Sequence, residues 1–239
     1  EGTEVLPLMK MTASANPSFS EALTPEKVPA CPLGFESISQ LFFDSLALSA
    51  WKSFQGTKWA LRVNPSSGNL HPTEGYLVCG PLKGLTEKPT VFHYSPETHG
   101  LEIRTHFSLE TWGGMTEGLP AETIFIGLSS IHWREAWKYG HRAFRYCQHD
   151  LGHALAAINI SCSGLGWQTH LMDNLSHKDL ETILGLPEKD DVEVEVPDCL
   201  IAVLPTHKKV NINSTHTDFA LGFSDLIWQG TPNILSKSH

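Results

Sequence analysis

The chain has 239 residues, 41% of them apolar and 18% charged, and a formal charge of −9. That is enough for one substantial domain around a real core, outside the disordered and fibrous classes. The acidity, unbroken by any lysine and arginine run, excludes nucleic acid as an expected partner.

The longest apolar stretches, such as Leu200 to Leu204, fall far short of the roughly 20 residues a bilayer crossing needs, so a soluble protein without a membrane partner is expected. Five cysteines, at 31, 79, 147, 162 and 199, are odd in number and never spaced as CxxC. They suit a reducing, cytoplasmic compartment better than a disulfide scaffold or a thiolate zinc site. Glycosylation-type triplets begin at Asn159, Asn174 and Asn213, but chance supplies such triplets often and they are discounted. The first residue is Glu1, not methionine, so further residues upstream are expected.

Residues 1–34 hold five prolines, at 7, 17, 25, 29 and 32, with Ser and Thr between them, and read as an extended arm. From Ser37, Ile38, Leu41, Phe42, Ser45 and Leu48 recur at helical spacing, which predicts a helix running to about Phe54, opened by a capping box of Ser37 and Gln40. Strands are predicted at Gly75–Gly80 and Thr90–Tyr94, the latter joined through Ser95, Pro96 and Gly100 to Leu101–Thr105 as a hairpin, and again at Thr123–Leu128. Phe144, Cys147, Leu151, Leu155, Ile158 and Cys162 form the buried stripe of a long helix ended by Gly164 and Gly166. A short helix from Ser176 to Leu184, closed by Gly185 and Pro187, precedes a strand at Asp198–Leu204. Strands interleaved with helices predict an α+β domain over residues 35–205, with residues 206–239 as a polar extension or connector.

The segment Arg62-Val-Asn-Pro-Ser-Ser-Gly-Asn-Leu-His-Pro-Thr-Glu-Gly-Tyr76 reads as a loop joining a helix to a strand. Gly68 and the small Ser66 and Ser67 let backbone approach a ligand, and Asn69 offers a donor and an acceptor on a short stem. Such a loop suits the edge of a flat polar ring, and a cation such as Arg62 would favour the charge that develops on a flavin when it is reduced. The same composition also suits a plain turn.

Three further blocks accompany it: Trp133-Arg-Glu-Ala-Trp-Lys-Tyr-Gly-His-Arg-Ala-Phe-Arg-Tyr146, His149-Asp-Leu-Gly-His153 and Ser163-Gly-Leu-Gly-Trp167. In this order and approximate separation, over roughly Ser37 to Leu204, the chain resembles the SagB-type dehydrogenase branch of the nitroreductase family. The resemblance implies a nitroreductase-like fold, a mixed central sheet flanked by helices, with FMN in a cleft between two such domains. It implies cofactor contacts at Pro65, Ser66, Gly68 and Asn69, with Gly164, Leu165 and Gly166 opposite. With Arg62, Ser67 and His71, these make the full candidate cofactor-binding set.

Lys138-Tyr139 matches the pair associated with catalysis in azoline-oxidising members, so both are candidate catalytic residues. Free Lys and Tyr have pKa values of about 10, so a field such as that of Arg134 and Arg142, four residues to either side of Lys138, would be needed near neutrality. The same run also reads as a solvated basic face. A small-molecule substrate and a homodimer, or pairing with a second homologous domain, follow from the resemblance. Two alternatives stand beside this reading: a non-catalytic flavin-binding or dimerisation module, and a zinc hydrolase using His149 and His153, which share a helix face but lack a clear third ligand.

In one respect the chain departs from many nitroreductases: it has no R-x-S-x-R cluster near the amino terminus, and Arg62 is its first arginine. Phosphate contacts are then expected from upstream residues, a partner domain, or Lys208 and Lys209. The tail from Trp228 to His239 resembles the connector between halves of tandem family members.

Overall fold

The computed structural model describes residues 2–12, 16–24, 26–186, 193–210, 212, 218–232 and 234–235. Pro187 and Asn213, invoked above, lie outside the described residues.

The strands are β1 (Val5–Pro7), β2 (Leu48–Phe54), β3 (Thr57–Arg62), β4 (Thr73–Cys79), β5 (Thr90–Ser95), β6 (Gly100–His106), β7 (Ile124–Ile131), β8 (Gln168–Leu171) and β9 (Glu195–Leu204). The helices are α1 (Phe19–Ala22), α2 (Phe35–Ser45), α3 (Leu109–Met115), α4 (Trp133–Tyr139), α5 (Ala143–Gly164) and α6 (His177–Leu184), with 3-10 turns at Ser67–Asn69, Gly140–Arg142 and Asp218–Phe223. The main sheet has the order β1-β6-β5-β4-β7-β9-β8, and β2 and β3 form a separate ribbon. All six neighbouring pairs of the main sheet run antiparallel.

Helices cover both faces of the sheet, so the central strands bury both sets of alternate side chains. On β4, Leu77 and Cys79 face one core with Ile38, Leu41 and Phe42 of α2 and Ala154, Ile158 and Cys162 of α5. Tyr76 and Val78 face the other, with Met115 of α3, Leu180, Ile183 and Leu184 of α6, and Phe223.

The sequence reading needs three corrections. The first helix starts earlier: Gly34 is its N-cap, and the Ser37 hydroxyl accepts from the Gly34 N–H at 2.9 Å, while Gln40 bonds Asp44. It also stops at Ser45, and Leu48 to Arg62 forms the β2–β3 ribbon instead of further helix. The cause is the turn at Gln55 and Gly56, with φ of 46° and 84°, the doubly left-handed geometry that joins two-residue hairpins and cannot lie within a helix. The segment from Arg62 to Tyr76 therefore joins two strands, not a helix to a strand.

The amino-terminal arm, expected as extended chain, contributes to the sheet and the core. β1 extends the sheet along β6, and Leu8 enters the core. The predicted hairpin is β5–β6, the long helix is α5, and α6 ends at Gly185 in the left-handed conformation with φ 64°.

Candidate functional site

The Arg62–Tyr76 loop leaves β3, makes a 3-10 turn over Ser67–Asn69, and enters β4. Its shape requires positive φ at Gly68 (63°), Asn69 (60°) and His71 (51°). What holds these conformations is a carboxylate on α5. Asp150, 1% exposed, accepts from Ser66 Oγ at 2.6 Å, from the Ser67 N–H at 3.0 Å and from Ser67 Oγ at 3.2 Å. The Ser66 oxygen in turn accepts from the His71 N–H at 2.8 Å, and His153 Nδ1 lies 3.1 Å from the Pro65 carbonyl.

Asn69 is committed within the chain at both ends of its amide: Nδ2 donates to the Ala60 carbonyl at 2.8 Å, and Oδ1 meets His71 Nε2 at 2.8 Å. Because Oδ1 can only accept, the His71 proton belongs on Nε2 and Nδ1 carries a lone pair. That buried Nδ1 has no hydrogen-bond partner. Burial, helped by the charges of Arg62 and Arg134, lowers the His71 pKa to about 4, so the ring is neutral at pH 7.

With these side chains engaged, the face left for a ligand is backbone at Gly68 and whatever stands over it. The structure puts Lys138 and Tyr139 there. A Cβ at Gly68 would strike Tyr139 Oη and come within 2.8 Å of Lys138 Nζ, so the absence of a side chain is what admits both groups. They are delivered by α4, which is separated from β7 by His132 alone and is capped by Gly140 (φ 54°). The Lys138 ammonium lies 5.3 Å from the centre of the Tyr139 ring, whose other neighbour is Tyr146 with centroids 4.5 Å apart.

Arg62 and Arg134 lie beneath the loop in a buried polar network that no motif revealed. Arg134 bonds Glu74 and donates to the His71 carbonyl at 3.0 Å, and Arg62 donates to the Thr73 carbonyl at 3.1 Å. Glu74 also pairs with His93 at 2.9 Å, and His93 with Glu102 at 2.7 Å. Despite burial, which favours the neutral acid, Arg134, His93 and Arg62 hold the Glu74 carboxyl far below the usual carboxylate range. Each guanidinium thus bonds groups inside the chain through one terminal nitrogen, while the buried Arg134 Nε has no partner. Arg134, expected to act on Lys138, is paired with Glu74, and Arg142 is exposed.

Gly164, Leu165 and Gly166 lie elsewhere. They close the carboxyl end of α5, fourteen residues beyond Asp150, which at helical rise is about 21 Å from the Gly68 loop. Around them is the arm: the Leu165 carbonyl accepts from the Cys31 N–H at 2.8 Å, the Trp167 indole donates to the Cys31 carbonyl at 2.7 Å, and Gly166 (φ 71°) packs against the Val28 and Pro29 carbonyls. The two loops do not meet within one copy.

His149 is exposed and His153 half-exposed, while Asp150 between them turns inward to the Ser66–Ser67 turn. Among the described residues no three His, Cys, Asp or Glu side chains are grouped to hold a metal ion. Lys208, expected with Lys209 near the phosphate, follows β9, where its carbonyl accepts from Gln168 Nε2 at 2.5 Å.

No family model matches the chain. It is similar in sequence to a candidate nitroreductase of Methanocaldococcus jannaschii, 23% identical over 163 residues that make up 66% of this chain and 77% of that protein. In three dimensions it matches a candidate nitroreductase of Ralstonia eutropha JMP134 with a TM-score of 0.62 and 15% identity, over 86% of this chain and 90% of that one. A second, from Anabaena variabilis ATCC 29413, matches with a TM-score of 0.60 and 23% identity over 83% of this chain.

The chain has a nitroreductase-like fold.

It spans only 40% of the Anabaena protein's length. A chain of the Escherichia coli microcin synthetase McbBCD complex, solved with truncated pro-MccB17 bound, shares the nitroreductase-like fold with a TM-score of 0.58 and 17% identity, over 89% of this chain and 80% of that one.

Proposed function

We propose that the chain is one flavin-binding unit of an FMN-dependent oxidoreductase, of the SagB-type dehydrogenase branch, acting on a small organic substrate. The observation that carries this reading is the meeting of bare backbone at Gly68 with Lys138 Nζ and Tyr139 Oη. The sequence likeness to a candidate nitroreductase supports it, as does a fold shared with a microcin synthetase chain.

The residues fit the ring of a flavin better than its phosphate. The exposed Gly68 backbone, a cation at Lys138 and a phenol at Tyr139 suit the polar edge of a planar ring. For the phosphate, the two buried arginines are engaged with Glu74 and backbone carbonyls, leaving exposed cations such as Lys138, Arg142 and Arg145. When bound, FMN supplies hydride transfer at N5. Lys138 and Tyr139 would hold or move the accompanying proton, and the Asp150-pinned turn would keep Gly68 in place.

Gly164, Leu165 and Gly166 would face a flavin held by the Gly68 loop of a second copy, or of a homologous domain, because one copy keeps the two loops apart. Both are needed for a complete site in this reading. The occupied arginines favour one competing reading, a non-catalytic pairing module that holds no cofactor.

The deciding experiment incubates the purified protein with FMN, alone and with any natural partner half, and measures flavin retained after desalting together with NAD(P)H-dependent reduction of quinone and nitroaromatic acceptors. Retained flavin with turnover supports the oxidoreductase. Absence of flavin in every preparation would leave the pairing module. Lys138→Ala and Tyr139→Phe should keep the flavin and lower turnover about 100-fold or more if they transfer protons; parental rates in both would remove those roles.

A further inference from the structure

Lys138 and Tyr139 are the last two residues of a helix that has little of its own to fix its position. α4 is 7 residues long, its N-cap His132 makes no side-chain capping bond, and it is closed by Gly140. A helix that short does not hold itself together in water, so tertiary contacts set where it lies. Its buried residue, Glu135, supplies no hydrogen bond, because neither carboxylate oxygen has a partner. Arg134 does supply them.

The Arg134 side chain, 14% exposed, reaches off α4 with one nitrogen, Nη1, that meets two acceptors: the His71 carbonyl at 3.0 Å and the Glu74 carboxylate. His71 belongs to the Gly68 loop and Glu74 to β4. Glu74 is itself held from behind by His93 of β5 at 2.9 Å, and His93 by Glu102 of β6 at 2.7 Å. The start of the loop is pinned by Asp150 of α5 through Ser66 and Ser67. Gly68 is therefore suspended between two anchors, and one of them rides on the helix that brings Lys138 and Tyr139. The spacing gives this a consequence. Arg134 and Lys138 are four residues apart, on one face of the helix and about 6 Å along its axis. The loop positions they meet, His71 and Gly68, follow in the opposite sense. Helix and loop thus lie alongside each other in a register, and a slip at Arg134 would carry Lys138 and Tyr139 off Gly68.

We propose that Arg134 is a positioning residue, whose bonds to the His71 carbonyl and Glu74 fix the register of α4 against the loop and so place Lys138 and Tyr139 over Gly68. A misplacement of about 1 Å at a reacting group is enough to cost about 100-fold in rate. The catalytic value of the placement rests on the reading of Lys138 and Tyr139 given under Proposed function, but the placement itself belongs to the chain without cofactor.

The test follows the nuclear Overhauser contact between the Gly68 α-protons and the Tyr139 ring, since a Cβ at Gly68 would stand 3.2 Å from Tyr139 Cζ. The full chain without cofactor should show it. Arg134→Met alone would strand the buried Glu74 charge, so it is combined with Glu74→Gln. That double variant should fold, as judged by circular dichroism and Tm, yet lose the contact, and FMN retained after desalting should fall about 10-fold or more. A merely structural role would leave both readouts unchanged in a folded variant. Arg134→Lys should keep both, because one ammonium can donate to the carbonyl and the carboxylate that Nη1 serves. Arg134→Gln with Glu74→Gln, whose shorter side chain stays polar, gives the same readout should the first double variant fail to fold. A parent without the contact, a folded double variant that keeps it, or Arg134→Lys losing it as fully as the double variant overturns the proposal. A contact governed by Arg134 in a protein that never retains FMN overturns the oxidoreductase reading and leaves the role of Arg134 standing.

Discussion

At the scale of single residues, Asp150 carries the most. Its carboxylate organises three donors of a turn more than eighty positions away, and removing it leaves the buried Ser67 N–H and two hydroxyls without their acceptor. Asp150→Ala should cost about 3 kcal/mol, measured by denaturant unfolding, with faster amide exchange confined to residues 66–71. Stability equal to the parent would show that water replaces the carboxylate. Gly68→Ala makes a different kind of change. The atoms it strikes are the mobile ends of Lys138 and Tyr139, and the left-handed φ costs about 1 kcal/mol, so the fold should survive with a small loss of stability. Flavin retention, read by desalting, should fall far more than the unfolding free energy does.

Some of this was open to sequence reasoning. The Pro65–Asn69 stretch and Lys138-Tyr139 stood out because their residue types are unusual together, and the structure brings them to one place. Glu74, His93 and Glu102 did not stand out, because they come from three successive strands and are joined only by strand register. Glu135 did not stand out either, because an acidic residue among arginines reads as surface until its burial is known. Asn69 misled in the other direction, since its amide serves Ala60 and His71.

At the scale of elements, the site depends on how β4, β7, α4 and α5 are locked together. Gly127, in the middle of β7, has no room for a side chain because Leu184 of α6 lies against it. Gly127→Ala should therefore destabilise by about 1–3 kcal/mol through overpacking, seen as a lower Tm with an unchanged circular dichroism spectrum. The chain Arg134–Glu74–His93–Glu102 links α4 to β4, β5 and β6. Burial works against a charged His93, but its hydrogen bonds to Glu102 and Glu74 and the charges of Glu74 and Glu195 outweigh it and raise the pKa to about 9. A histidine whose pKa rises on folding stabilises fully below its unfolded value near 6.5, and that contribution is lost as pH climbs through the folded value. The Tm difference between the parent and His93→Gln should accordingly be largest at or below pH 6 and shrink steadily between about pH 6.5 and pH 9. A difference that grew with pH would mean that His93 is neutral in the fold.

The elements differed in how readable they were. The β5–β6 hairpin, α5, α6 and β9 carry strong apolar periodicity and end at glycine or proline, and they stand close to where they were expected. The β2–β3 ribbon was missed because Ile38 to Leu48 keeps helical spacing into its first residue, and because Gln55-Gly56 is a less familiar hairpin turn than Asn-Gly.

At the scale of the whole molecule, the sheet divides the protein into two cores. The candidate site lies where α4 and the amino-terminal part of α5 meet the β3–β4 loop. The glycine loop at the far end of α5 is beyond reach within one copy. In the pairing reading, Trp51 and Phe54 of the projecting ribbon, 56% and 66% exposed, are candidates for contact with the second copy or domain. Trp51→Glu with Phe54→Glu should then lower the mass measured by light scattering and weaken flavin retention together. Loss of neither would place the pairing surface elsewhere.

The path of the amino-terminal arm has a practical consequence. Cys31 caps both the Leu165 carbonyl and, by its own carbonyl, the Trp167 indole, while Val28 and Pro29 occupy the only space into which Gly166 could grow a side chain. Val28, Pro29 and Cys31 are thus a brace for the glycine loop, although the composition around them resembles dispensable leader. Trimming the protein at residue 34, an obvious choice for making a tidier domain, would strip that brace away. On the proposed function, the resulting preparation should retain less flavin, although the removed residues are not among those proposed to touch it.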